Sequence, residues 1–159
     1  MMTVDLFFSE YVFKFIFGDI QREIDLAKDG RGGGNFLSAL GLLCYTEVLG
    51  GFITGYWKDG MSRKNFESFF DRLGPEYVAF RGTDDPYKLY RCGMVHEYGP
   101  RVPLKIGMLK GTETCGVWIG KSDGRYAFSV EKYFEDFSRA SRDLHKELMA
   151  QPKPEMPKH

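Results

Sequence analysis

Apolar residues near the N-terminus recur three or four positions apart, which is typical of an amphipathic helix. They are Val4, Phe7, Phe8, Tyr11, Val12, Phe15, Ile16, Ile20 and Ile24. This spacing predicts a first helix from about Thr3 to Lys28. The glycine-rich run 30–34 should end it, because glycine loses much backbone entropy in a helix. Exposed N–H groups before the next helix can bind phosphate, but the run fits neither nucleotide-binding fingerprint, so we interpret it as a helix–helix turn.

A second helix is predicted over about Asn35 to Tyr56, apolar nearly all round and therefore the most buried element. It contains four glycines, at positions 41, 50, 51 and 55, and each costs about 1 kcal/mol relative to alanine. A close approach of a neighbouring helix would explain them. Glu47 lies among leucines in this helix, so we expect it to be buried. It is either a core carboxylate paired with an arginine or an acidic residue of a functional site.

Two further helices are predicted before residue 100. Ser62 can cap a third helix, which Gly74-Pro75 should close. Asp84-Asp85-Pro86 favours a helix start, because carboxylates and proline suit the first turn. The fourth helix should follow over residues 87–98 and end at Gly99-Pro100.

The pattern then changes to alternation of apolar and other residues from Val102 to Met108, which predicts a strand. Residues 117–119 and 126–129 flank a loop and predict a hairpin. A last amphipathic helix follows, with the apolar residues Tyr133, Phe134, Phe137, Leu144, Leu148 and Met149. The predicted fold is mainly α: one domain over residues 1–150, a bundle of about five helices with a small antiparallel β insertion at about 102–130. The proline-containing tail 151–159 is predicted to be disordered.

Composition narrows the class of protein. The 159 residues are 43% hydrophobic and 16% aromatic, which excludes a disordered or fibrous chain. Lys plus Arg and Asp plus Glu number 22 each, so a long-range, sequence-blind attraction to polyanions is excluded. Five bases against two acids over residues 101–125 make that segment the better place for a phosphate backbone. Three separated cysteines and no visible signal peptide predict a cytoplasmic protein without membrane association.

The segment from Arg91 to Tyr98 carries the clearest candidate chemistry: an arginine, four residues, a histidine, one residue and a tyrosine. Histidine can move a proton near neutral pH, and arginine can stabilise a phosphate with forked donors. On an ideal α-helix, Arg91 and His96 differ in direction by about 140°. Two copies about a two-fold axis could therefore build a site that one helix cannot. Cys92 and His96 are too few for a metal site, so no metal or cofactor is expected.

This segment resembles the Arg-x4-His-x-Tyr signature of the HEPN superfamily, whose members are helical bundles that often act as metal-independent ribonucleases. The resemblance implies a homodimeric RNA endonuclease of the toxin or defence type. His96 would be the general acid and base, Arg91 the phosphate stabiliser, and Tyr98 a substrate contact or the acceptor of an inhibitory AMP. Glu97 would orient its neighbours. A nucleotidyltransferase-type antitoxin is the protein partner that the resemblance implies.

Two alternatives remain open at this point. Cys92 occupies a position where HEPN toxins usually have a polar residue, which favours a non-catalytic helical module that binds a nucleotide or a partner protein. Arg91 could also be structural and pair with a buried acid such as Glu47, with His96 in a structural hydrogen bond. The β insertion lies outside the minimal HEPN fold, so it would be an elaboration of a subfamily.

Overall fold

The structure is a computed structural model that describes residues 2–96 and 103–159, with His96 described by its backbone alone. Over these residues the chain forms six helices and a three-stranded sheet, which confirms the mainly helical fold with a small β insertion before the last helix. In chain order the elements are α1 (residues 4–28), α2 (Asn35–Thr54), α3 (Ser62–Phe70), α4 (Pro75–Thr83), α5 (residues 87–96), β1 (Leu104–Gly107), β2 (Val117–Ile119), β3 (Tyr126–Ser129) and α6 (Val130–Met149).

Helix α1 has the predicted span but not a uniform geometry. A π-helical stretch, Phe7–Ile16, lies between α-helical Val4–Leu6 and Phe17–Lys28. Thr3 caps the helix, because its Oγ1 accepts a hydrogen bond from the Leu6 N–H at 3.1 Å. The π-helical hydrogen bonds join residues five apart, and such stretches are common at functional sites.

Helix α2 is the central element, and its glycines allow the close approach that the sequence predicts. A Cβ at Gly50 would overlap the backbone carbonyl of Asn65 in α3, and one at Gly51 would overlap the Trp57 indole. Gly55 ends the helix with a φ of +80°, a conformation that side chains other than glycine rarely adopt. Helix α3 therefore packs directly against the backbone of α2.

Helix α3 continues through a 3₁₀ turn, Asp71–Leu73, and ends at Gly74 as predicted. Pro75 then begins α4, which the apolar spacing does not predict. Only Tyr77 of this short helix is buried. Its hydroxyl donates a hydrogen bond to Asp136 of α6 at 2.8 Å and accepts one from the Gly116 N–H at 2.8 Å.

The inserted sheet has the strand order β1-β3-β2. Strands β2 and β3 form the predicted antiparallel hairpin, with Val117 opposite Phe128. Strand β1 pairs in parallel with β3, with Ile106 opposite Phe128, so the insertion is a mixed sheet and not wholly antiparallel. Alternation along one strand fixes which side chains share a face, but it carries no information about the direction of the neighbouring strand.

The core lies where α6 meets α2, α3 and the sheet. Tyr133 is fully buried, stacks on Phe128 at a ring distance of 4.8 Å, and shares a 2.8 Å hydrogen bond with the Thr46 hydroxyl. Burial raises the pKa of Tyr133 far above its ordinary value. The buried Asp136 carboxylate is paired with Lys132 at 2.8 Å and with Arg139 at 2.7 Å, which offsets the cost of burying its charge.

The C-terminal tail differs from the prediction of disorder. The Trp57 N–H donates to the Lys158 carbonyl at 2.7 Å, and the Lys158 N–H donates to the Gly55 carbonyl at 2.9 Å. Pro157 is buried and Met156 packs against the core. Proline lacks an N–H donor, but Lys158 is not a proline and keeps both its N–H and its carbonyl. Its two hydrogen bonds hold the tail along the turn that follows α2.

Helix α2 is long and apolar enough to cross a membrane by length and composition. Half of its most apolar window is buried inside the chain, as in a core helix.

Candidate functional site

Helix α5 begins where the sequence predicts. The Asp85 side chain accepts a hydrogen bond from the Lys88 N–H at 3.0 Å, and Pro86 directly precedes the first helical residue. Residues Tyr87–Cys92 are π-helical and Gly93–His96 are α-helical. The predicted angle of about 140° between Arg91 and His96 assumes an ideal α-helix. It does not apply here, because the π-helical turn at Arg91 is wider than an α-helical turn.

Arg91 and Glu47 form an ion pair between α5 and α2. The Arg91 Nε–H donates to Glu47 Oε2 at 2.9 Å, and the two side chains are 17% and 18% exposed. The predicted pairing of Glu47 with an arginine is confirmed, although Glu47 is half-buried and not fully buried. The contact uses one of the five N–H donors of a guanidinium. It fixes the position of the charge, because Nε and both Nη atoms lie in one rigid plane.

Two groups beside this pair have altered acidities. Burial raises the pKa of the Cys44 thiol, and the nearby Arg91 cation opposes that rise. Burial also raises the pKa of Tyr87, and the neighbouring Cys92 thiol raises it further. Cys44 and Tyr87 are therefore neutral at neutral pH.

A second arginine, Arg63 of α3, contacts the start of α5. Arg63 pairs with Asp85 at 2.9 Å and with Glu67 at 3.2 Å, and its guanidinium lies over the Tyr87 ring at 4.8 Å from the centroid. Cation–π contacts of this kind fix the orientation of the ring. Arg63 thus holds Tyr87, which precedes Arg91 by one π-helical turn.

Glu47 also lines a cavity of about 490 Å³. Its walls come from α1, α2, the loop that follows α2, α3 and the tail: Phe7, Glu47, Val48, Trp57, Lys58, Asp59, Ser62, Asn65 and His159. The Trp57 indole is fixed, because its Nε1–H donates to the Val48 carbonyl at 2.8 Å. The Phe7 ring lies 5.7 Å from the Trp57 ring, and the His159 ring lies 5.7 Å from it. This volume lies within the range of small-molecule sites.

Two carboxylates, one ammonium group and the His159 imidazole lie among the lining residues of the cavity. Glu47 and Asp59 carry negative charge, and Lys58 is positive with its Nζ 4.3 Å from the centroid of the Tyr56 ring. The cavity itself therefore suits an uncharged planar group with N–H donors better than a phosphate. Arg91 does not line the cavity and is joined to it through its ion pair with Glu47.

Arg91 is the one predicted site residue whose side chain the structure describes, and it contacts Glu47, as the structural alternative predicted. Glu97 and Tyr98 lie outside the described residues, as does the predicted helix end at Gly99-Pro100. The His96 side chain is not described, so its distance from Arg91 is not given. Within residues 2–96 and 103–159, no group of three or more His, Cys, Asp or Glu side chains could hold a metal ion.

The glycine run 30–34 is a helix–helix turn, as interpreted from the sequence. Gly30 and Gly32 have φ values of +69° and +81°, and the Gly34 N–H donates to Glu23 Oε2 at 2.9 Å. An acidic side chain thus occupies a place that a phosphate would need. In the basic segment 101–125, Lys110 is paired with Glu135, which reduces its value for binding a phosphate backbone.

Sequence reasoning missed Trp57, Lys58 and His159 as cavity residues. The adjacent pair Gly50-Gly51 was the available signal, since Gly51 is the position against which the indole lies. No protein-family model matches this chain, and no curated protein or solved structure matches it significantly.

Proposed function

We propose that the protein is a metal-independent RNA endonuclease of the toxin or defence type that acts as a homodimer in the cytoplasm. Arg91 would stabilise the phosphate, His96 would be the general acid and base, Tyr98 would contact substrate or accept AMP, and Glu97 would orient its neighbours. The observation that carries this proposal is the aromatic-lined cavity of about 490 Å³ beside Glu47, the residue that holds Arg91. The Arg-x4-His-x-Tyr segment resembles the HEPN signature, which supports the same activity.

The Arg91 contact suits phosphate stabilisation. Glu47 binds the Nε edge of the guanidinium, and a phosphate would bind through N–H groups of the Nη atoms. A cation already held in place needs no reorganisation when charge develops on the phosphate, which is the main source of electrostatic catalysis. Glu47 would therefore be a positioning residue for Arg91.

The cavity beside Glu47 suits a nucleobase. Bases stack on aromatic side chains with about 1–3 kcal/mol per base, and Phe7 and Trp57 supply such surfaces. The carboxylates of Glu47 and Asp59 can accept hydrogen bonds from the amino or imino groups of a base. A strand with one base in the cavity would bring the adjoining phosphate toward Arg91.

The proposed reaction uses the 2′-hydroxyl of the RNA as nucleophile. Neutral His96 would accept its proton, the 2′-oxygen would bond to phosphorus, and the bond from phosphorus to the 5′-oxygen would break. The leaving oxygen would take a proton from the protonated imidazole of the same or the second protomer. The products are a 2′,3′-cyclic phosphate and a 5′-hydroxyl, and no metal takes part in any step.

A second candidate function is a non-catalytic module that binds a nucleotide or a partner protein. The Arg91–Glu47 ion pair favours it, because an arginine paired within its own chain can have the purely structural role of joining α5 to α2. In that case Arg91→Met would lower the stability of the fold, and wild-type protein would bind RNA or a nucleotide without cleaving it.

Cleavage of a mixed RNA pool in the presence of EDTA tests the proposal. The comparison is between wild type, His96→Gln and the matched control His145→Gln, whose histidine lies in α6 and contacts Asp5 at 3.0 Å. We expect wild type and the control to cleave and His96→Gln to lose at least 100-fold, the lower end of the contribution of a general acid or base. Absence of cleavage by wild type, or equal cleavage by both variants, would contradict the assignment.

A further inference from the structure

A second cavity, of about 530 Å³, lies between α1 and α6 and is separate from the site described above. We call it the α1–α6 cleft. The lining residues are Phe13, Phe17, Gly18, Gln21, Ile24, Lys28, Glu131, Phe134, Glu135, Ser138 and Arg142. None of them belongs to α5 or lines the cavity beside Glu47, so the cleft needs an explanation of its own.

One wall of the α1–α6 cleft is aromatic. The Phe17 ring lies 5.4 Å from the Phe13 ring and meets the Phe134 ring edge to face at 5.5 Å. Phe13 belongs to the π-helical stretch of α1, and Phe17 is the first residue after it. The change of helix type therefore falls at the cleft. Phe17 and Phe134 are each 7% exposed and Phe13 is half-buried, so the parts of these rings that border the cleft form an apolar wall for a ligand.

Among the charged residues of the cleft, Arg142 is the cation that lacks a carboxylate partner among the residues that the structure describes. Lys28 pairs with Glu131 at 2.6 Å, and Glu135 pairs with Lys110. The Arg142 guanidinium instead lies over the rings of Phe17 and Phe13, 5.0 and 5.5 Å from their centroids. The balance of charge therefore favours a ligand with a single negative charge placed beside Arg142.

Two small residues complete the cleft. The Ser138 Oγ is buried and has no hydrogen-bond partner in the described parts of the chain, which costs stability unless a partner is supplied. Rotation about χ1 would turn this hydroxyl toward a ligand. At Gly18 a Cβ would meet no atom within 4 Å, so the wall at this position is open and no packing within the chain requires the glycine.

We propose that the α1–α6 cleft is a binding site for a small planar aromatic monocarboxylate. The ring system would lie against Phe13, Phe17 and Phe134, and the carboxylate would bind the Arg142 guanidinium through paired N–H donors. The Ser138 hydroxyl would donate to the same carboxylate or to a ring substituent. The site does not depend on the proposed nuclease activity.

Calorimetric titration with 2-naphthoate tests this site on the full chain. We expect saturable binding of one ligand per chain. Gly18→Leu, which places a side chain at the open wall, should weaken binding at least tenfold. Gly82→Leu is the matched control, because Gly82 is also an exposed helical glycine with no atom within 4 Å of an added Cβ. It should bind as wild type does, and circular dichroism should show both variants folded.

Two further ligands test the chemical class. The neutral analogue 2-naphthylmethanol should bind more weakly than 2-naphthoate, and Arg142→Gln should weaken only the carboxylate, by at least fivefold. Octanoate, a flexible aliphatic carboxylate, should bind at least tenfold more weakly than 2-naphthoate. Absence of saturable binding, or equal binding by Gly18→Leu and wild type, would overturn the site. Equal binding of octanoate, or equal loss of both naphthyl ligands in Arg142→Gln, would overturn the ligand class.

Discussion

Replacement of Gly50 by alanine should destabilise the protein, although alanine is the better helix former. In an exposed helix interior the change would stabilise by about 0.8–1 kcal/mol. At Gly50 the added Cβ would overlap the backbone carbonyl of Asn65, and a backbone atom cannot rotate away as a side chain can. Helix α3 would have to move as a unit.

The size of the effect follows from these opposing terms. Overpacking of a well-packed interior costs about 1–3 kcal/mol, with larger values where the structure cannot adjust. The added Cβ would lie 1.7 Å from the Asn65 carbonyl oxygen, so the upper end of that range applies. After subtraction of a helix-propensity gain of about 1 kcal/mol, we expect Gly50→Ala to lower the free energy of unfolding by about 2 kcal/mol. For a chain of this length each kcal/mol changes Tm by roughly 2–4 °C, so Tm should fall by about 4–8 °C.

Thermal unfolding followed by circular dichroism measures this difference. The matched control is Gly18→Ala, since an added Cβ at Gly18 meets no atom within 4 Å. The control should gain up to about 1 kcal/mol from helix propensity and should raise Tm. A rise in Tm for Gly50→Ala equal to that of the control would refute the close approach of α2 and α3.

Two further predictions concern buried polar groups. Tyr77→Phe should lower the free energy of unfolding in urea by about 1–3 kcal/mol, because the Gly116 N–H would lose its acceptor; a loss below about 0.5 kcal/mol would contradict this. Burial tends to raise the pKa of Glu131, but the hydrogen bonds from Lys28 and the Lys110 N–H outweigh it and the net pKa is lowered. The Glu131 carboxylate therefore stabilises the fold above its ordinary pKa, and this stability is lost as the pH falls through the lowered pKa. Between about pH 7 and pH 3, the Tm of Glu131→Gln should decline less than the Tm of the wild type. Parallel profiles of Tm against pH for the two proteins would contradict this prediction.

The helices that pack through a long apolar face could be predicted from the sequence. Helices α1, α2 and α6 each have an apolar pattern over many turns, and burial of that face outweighs local preferences. Helix α4 was missed because it is short and buries only Tyr77. Its one local signal was Pro75 in the first turn, directly after Gly74, which was interpreted only as the end of α3. The direction of β1 could not be predicted, because it depends on contacts far along the chain.

The candidate site was predictable only where chemistry is local. Glu47 could be expected to pair, because a carboxylate among leucines needs a partner, and the structure supplies Arg91. The cavity beside it could not be predicted, because Trp57 and His159 are brought together by the docking of the tail. Prolines in the tail were interpreted as a sign of disorder, whereas a two-bond bridge to the turn after α2 is enough to hold it.

The end groups of RNA fragments test the proposed reaction most directly. Wild-type protein should be incubated in EDTA with an RNA oligonucleotide and with its fully 2′-O-methylated counterpart, and the fragments analysed by mass spectrometry. In the proposed reaction His96 and Arg91 act without metal, and the 2′-hydroxyl of the RNA is the nucleophile. The proposal predicts 2′,3′-cyclic phosphate and 5′-hydroxyl ends from the RNA and no cleavage of the methylated strand. Cleavage of the methylated strand, or fragments formed only with added Mg²⁺, would contradict it.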